Sequence, residues 1–76
     1  MNRQANNQIN PDKLLLSKWT AVQPTNKEKH FLVTRVIRNE QETVVACVLE
    51  AVIHHREYEL DWLQLQDASR WLQGWR

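Results

Sequence analysis

Apolar residues fall in four runs separated by short polar breaks. Most of these runs have the spacing and composition of strands rather than helices. "HFLVTRVIR" predicts a strand over 30–38 and "TVVACVLEAVI" a second over 43–53, both rich in β-branched side chains. "EYELDW" alternates strictly, with Glu57, Glu59 and Asp61 on one side and Tyr58, Leu60 and Trp62 on the other, the pattern of a half-buried strand. A further strand is expected near 18–22, before the connection "QPTNKEK", whose Pro24, Thr25 and Asn26 are turn formers. Helical signals are brief. One turn is expected over 11–15, with Asn10 as N-cap and Pro11 at the first position. A short C-terminal helix is expected from Ala68 to Gln73, capped by Asp67 and ended by Gly74. Residues 1–9 are polar and aperiodic and read as a disordered tail, which leaves 10–76 as a single small β-rich domain. The expected fold is mainly β (α+β). It is a three- to four-stranded antiparallel bent sheet or a small SH3-like barrel, with that C-terminal helix against its opening.

Strand register follows from the turns. A polar turn at 39–42 pairs Ile37 with Val44, which sets Leu32 opposite Leu49 and Val36 opposite Val45. A tight turn at His54–His55 pairs Ile53 with Arg56, which sets Leu49 opposite Leu60 and Cys47 opposite Trp62. Both hairpins then place Leu32, Val36, Val45, Cys47, Leu49, Ile53, Tyr58, Leu60 and Trp62 on one face, and this agreement supports the register. The reverse face carries Phe31, Val33, Ile37, Val44, Val48 and Val52 beside Arg35, Glu50, Glu57, Glu59 and Asp61. A face that apolar is expected to be covered, by the chain itself or by a partner.

At 76 residues the chain forms one domain with a thin stability margin. Four tryptophans are therefore a large share of its apolar surface. Trp62, Trp19 and Trp71 are expected in the core, and Trp75 is expected to be reachable. The formal charge is only +1, which is no strong nucleic-acid footprint. The charge is unevenly spread, however. Residues 13–38 hold six basic side chains against one acidic, and residues 40–67 hold one basic against seven acidic. A single cysteine, Cys47, sits in an apolar run and reads as a small buried hydrophobe in a reducing compartment. No apolar run approaches the length of a membrane span, and the first ten residues lack a signal-peptide core, so cytoplasmic residence is the expectation.

Candidate chemistry is sparse. His54 and His55 are adjacent and His30 is remote, which is no metal-ligand spacing. Glu57, Glu59 and Asp61 would lie about 7 Å apart in succession on one strand face, a separation that glycosidase carboxylates use, but a solvated face explains them without a pocket. A lone glycine, Gly74, offers no phosphate loop. No enzyme, cofactor or metal is expected. The remaining signal is aromatic and basic residues interleaved. Trp71, Trp75, Arg70 and Arg76 cluster at the C-terminus, Lys18 adjoins Trp19, and Lys27 and Lys29 precede Phe31, with Arg35 further along the same strand. Such sets serve protein hot spots, where Trp and Arg dominate. They also serve single-stranded RNA or DNA, where rings stack on bases and cations hold phosphates. A protein partner or a second copy of the chain is the first expectation and nucleic acid the alternative, with no membrane role.

The words "KLLLSKWTAVQPTNKEKHFLVT", "VVACVLEAV", "REYELDW" and "SRWLQGW", in that order, resemble the small tryptophan-rich bacterial proteins grouped as DUF2389, over about residues 10–76. The resemblance implies a bacterial protein and brings no catalytic residue, cofactor or ligand. The expected role is that of an interaction module using the apolar sheet face and the tryptophan-rich end.

Overall fold

The computed structural model describes residues 6–76. The described residues form a five-stranded antiparallel sheet, with no α-helix among them. The strands are β1 (Lys18–Thr25), β2 (Glu28–Arg38), β3 (Val44–Ala51), β4 (Glu57–Asp61) and β5 (Trp71–Gln73), in the spatial order β4-β3-β2-β1-β5. The sheet is open, not the closed barrel that was one of the two expected forms, because β4 and β5 are edge strands. Two 3₁₀ turns complete it, Pro11–Lys13 and Trp62–Gln66. The first begins as expected, with the Asn10 side chain accepting from the Asp12 amide.

Turn chemistry decides which side chains are buried. Between β2 and β3, Asn39 accepts from the amides of Gln41 and Thr43, and Glu42 takes φ 64°. The Asn39 amide also donates to the Thr43 carbonyl and the Asn39 carbonyl accepts from the Glu42 amide, which leaves a three-residue loop, a type I turn followed by a left-handed residue. The expected pairing is therefore off by one. Val33 pairs with Leu49 and Phe31 with Ala51, so Phe31 and Val33 join the core face, and Leu32 lies on the reverse with Glu50. A bulge at Thr34 then restores Val36 to the side of Cys47.

Between β3 and β4 the loop is Val52–His55 rather than a two-residue turn, with the Ala51 amide bonded to the Arg56 carbonyl. Leu49 consequently pairs with Tyr58 and Cys47 with Leu60. This is a shift of two positions, so Cys47, Leu49 and Leu60 keep the face expected of them. Val45 and Ile53, expected inside, are exposed, while Val44 is buried. The apolar reverse face is thereby corrected: Phe31, Val33 and Val44 belong to the core, and Val48 on the reverse is itself buried.

The core gathers Leu14, Trp19, Phe31, Val33, Val44, Cys47, Leu49, Ala51 and Leu65, with Ile9, Val36, Leu60, Trp62 and Trp71 packed around it. Trp19 is 2% exposed, and its indole N–H donates to Ser17 Oγ at 2.8 Å. Leu65 is delivered by the second 3₁₀ turn.

The C-terminal helix is absent and β5 takes its place. Asp67 does cap, accepting from both Ser69 N and Ser69 Oγ, but the turn ends at Trp71. Six residues are too few to hold a helix alone, whereas the outer side of β1 offers a complete ladder. Trp71, Leu72 and Gln73 accordingly pair with Ala21, Thr20 and Trp19. Of the stretch expected to be disordered, residues 1–5 lie outside the described residues. Residues 6–9 are tied down: Asn6 bridges Asp67, Asn7 donates to the carbonyls of Leu65 and Trp71, and the Gln8 carbonyl accepts from Gln73.

Candidate functional site

Two surfaces collect the aromatic and basic residues that the sequence singles out. The first is a cleft of about 580 Å³ where the edges of β4 and β5 approach over the core face. Phe31 forms its floor. The Tyr58 ring stands 6.2 Å from Phe31 on the β4 side, and the Trp71 ring stands 5.3 Å away on the β5 side, both edge-on. The walls differ in exposure: Phe31 is buried, Trp71 half-buried and Tyr58 exposed. Glu59 of β4 and Arg70, in the turn just before β5, also line it.

Beneath this cleft sits Glu28, which sequence reading passes over as one more charge in a lysine-rich connection. The connection is in fact a tight hairpin. Asn26 and Lys27 both have positive φ, 55° and 63°, and Thr25 pairs with Glu28, a two-residue turn of the mirror-image type that suits strand twist. Asn26 at its first central position was the readable signal. The turn makes Glu28 the first residue of β2 and leaves it 3% exposed. Its Oε1 accepts from the Tyr58 hydroxyl at 2.5 Å, and this bond raises the Tyr58 phenol above its ordinary value. Its Oε2 is buried with no hydrogen-bond partner. The indole N–H groups of Trp19, Trp62 and Trp75 donate within the protein, but among the described residues that of Trp71 has no partner.

The second surface lies on the reverse of the sheet, where the chain end crosses β1 and β2. Gly74, at φ 81°, turns the chain after β5. Thr20 Oγ1 donates to the Gly74 carbonyl and accepts from the Arg76 amide, so Thr20 is buried under the tail. Trp75 is 45% exposed and anchored by its indole N–H on the Phe31 carbonyl at 2.9 Å. The Lys18 ammonium sits 4.8 Å from the centre of its ring, and the His30 ring lies 6.0 Å away.

The candidates therefore divide. Trp71, Arg70 and Phe31 join in the cleft, although Phe31 is a floor and not an exposed ring. Trp75, Lys18 and Arg76 join on the reverse. Lys27 and Lys29 are exposed at the tip and start of the β1–β2 hairpin, and Arg35 is exposed mid-strand opposite Val48. The histidines are separate: His30 meets the Arg76 carbonyl, His54 the Asn26 carbonyl and His55 the Glu50 carboxylate. Among the described residues no three His, Cys, Asp or Glu side chains are placed to hold a metal ion. No helix of the described residues is long and apolar enough to cross a membrane.

An open antiparallel sheet whose two edge strands flank an aromatic cleft defines a small all-β protein built around its tryptophans. Residues 17–76 match the family model described as tryptophan-rich protein (DUF2389), and the chain belongs to that family. No curated protein and no solved structure matches the chain.

Proposed function

We propose that this protein is a non-enzymatic interaction module that receives a segment of a partner protein in the cleft between β4 and β5. The observation that carries this reading is the cleft itself. It opens between the two outermost strands, β4, which has no further strand beside it among the described residues, and β5, whose outer side carries Asn7 on the Trp71 carbonyl, and its walls are aromatic, as the anchoring pockets of protein interfaces are. A non-catalytic role is supported by the nucleophile inventory. The single thiol, Cys47, is buried and pushed up to about 11 by that burial, with the Asp61 charge adding to the effect.

Selection of unstructured peptides from a display library, followed by amide chemical-shift mapping, tests the reading. Peptides that bind should shift residues of β4, β5 and the Asn26–Lys27 turn. Selected peptides that shift only the Trp75 surface, or a library that yields none, would count against it.

A second reading, binding of single-stranded RNA or DNA, rests on exposed Trp75 with Lys18, His30 and Arg76 around it. Lys18 already occupies part of that ring, so a stacking base must displace it. Fluorescence titration with oligonucleotides at low and high salt separates the two readings, because phosphate contacts weaken steeply as salt rises.

A further inference from the structure

We infer that the cleft between β4 and β5 recognises a guanidinium group, supplied by an arginine side chain of the partner, with Glu28 as its counter-charge. This inference rests on the interaction-module reading and names the chemistry of that site.

The argument starts from an incomplete hydrogen-bond set. A carboxylate has room for about four donors, and burial without donors is costly. Glu28 is 97% removed from solvent by its 3% exposure, yet only Tyr58 donates to it, and Oε2 has no donor at all. Oε2 is the single buried side-chain polar atom found without a partner among the described residues. Such an atom in a natural core calls for an explanation, and a missing ligand group is one.

Charge and shape specify that group. Of the charged side chains lining the cleft, Glu59 and Arg70 are of opposite sign and Glu28 is the third, while Arg56, outside the lining, acts on the Tyr58 hydroxyl, so the carboxyl left over within the cleft is that of Glu28. The remaining walls are the rings of Phe31, Tyr58 and Trp71. A carboxylate beneath aromatic walls suits an organic cation, which gains from ring faces as well as from the opposite charge. Guanidinium is favoured over ammonium because it is planar, stacks on rings and is more weakly hydrated, so it enters a half-dry cleft at lower cost. The volume of about 580 Å³ falls within the range of small-ligand sites and exceeds what one arginine side chain fills. Tyr58 is the most exposed of the three rings, so it is the wall that an entering group would have to displace to reach the buried Oε2. The backbone around the inserted arginine would lie along the outer edge of β4.

The test uses the intact protein and two capped single amino acids, N-acetyl-arginine amide and its uncharged near-isostere N-acetyl-citrulline amide. Chemical-shift titration should show saturable movement at Glu28, Tyr58 and Trp71 with the arginine compound, and at least tenfold weaker binding of the citrulline compound. Glu28→Gln should weaken arginine binding at least tenfold. Tyr58→Phe, which removes a competing donor, should bind as well as wild type or better, and it keeps the test decisive if Glu28→Gln does not fold. Arg70→Ala, which removes a like charge from the rim, should tighten binding several-fold. Equal binding of arginine and citrulline, weaker binding by Arg70→Ala, or no saturable shift in the cleft would overturn the inference. Display-selected peptides that fill the cleft without arginine would also overturn it, while leaving the interaction-module reading intact.

Discussion

Tyr58 and Glu28, 30 residues apart in the chain, meet across the sheet, the phenol of one donating to the buried carboxyl of the other at 2.5 Å. The contact ties edge strand β4 to the start of β2, past the intervening β3. It depends on two local turns, the Asn26–Lys27 hairpin that starts β2 at Glu28 and the Val52–His55 loop that sets Tyr58 opposite Leu49.

The first prediction concerns this pair. Tyr58 is the one tyrosine of the chain, so absorbance near 295 nm follows its ionisation alone. The phenol should titrate above its ordinary value of 10.0, chiefly because its hydrogen bond to Glu28 favours the protonated form. A phenol raised in the folded state lends stability that is intact below about pH 10 and lost as pH climbs through the higher folded value. Glu28→Ala, which removes both the acceptor and the charge, should bring the titration back toward 10. An unchanged midpoint in that variant would refute Glu28 as the cause.

Cys47 should be unreactive in the native protein. Burial raises its thiol to about 11, so almost none is thiolate at pH 8, and no path from solvent reaches it. Labelling by an aromatic disulfide should proceed only at the rate of unfolding, and become immediate in denaturant. Its linkage has the same sign as that of Tyr58: the stabilising contribution holds below about pH 9 and fades between 9 and 11. Rapid labelling without denaturant would show that the β3 core opens locally.

The Asn39–Thr43 loop should be the strongest local determinant of register. Glu42→Gly, placed at φ 64°, relieves a left-handed non-glycine residue and should stabilise by about 0.5–1 kcal/mol. Asn39→Ala removes two hydrogen bonds to backbone amides and should cost about 1 kcal/mol. Urea unfolding measures both, with unchanged slope as the sign that the fold is the same.

The four tryptophans should separate by energetic weight. Trp19→Ala, at a buried site with its indole hydrogen bond satisfied, should cost about 3–5 kcal/mol, enough to unfold so small a chain. Trp75→Ala should cost about 1 kcal/mol, the net worth of one hydrogen bond and modest burial. Iodide should quench Trp75 emission first, and a Trp75→Phe variant should lose most of the quenchable fraction.

Periodicity located the four longer strands because β-branched and alternating runs are dense there, and "EYELDW" fixed the inward side of β4 correctly. What it could not fix was loop geometry. Whether Asn39 to Thr43 closes around three residues or four depends on a side chain accepting two amides and on Glu42 entering a conformation that glutamate rarely adopts. That single residue of difference carried Phe31 and Val33 from one side of the sheet to the other. The C-terminal element was misread for a related reason. Asp67 and Gly74 are genuine helix signals, but the unpaired side of β1 competed for the residues between them and won. Glu28 was illegible for the opposite reason: its burial comes from a neighbouring turn and from Tyr58, neither of which lies in its own local pattern. Trp71 and Arg70 were legible as a pair, but not the pocket that they enter.

The exposed edge of β4 has a consequence for crowding in solution. Glu57, Glu59 and Asp61 all lie on this five-residue strand, so two molecules meeting there edge to edge would bring as many as six carboxylates together. Like charges facing across a ladder repel, which makes the strand a poor template for another copy of itself while leaving it open to a visitor of the other sign.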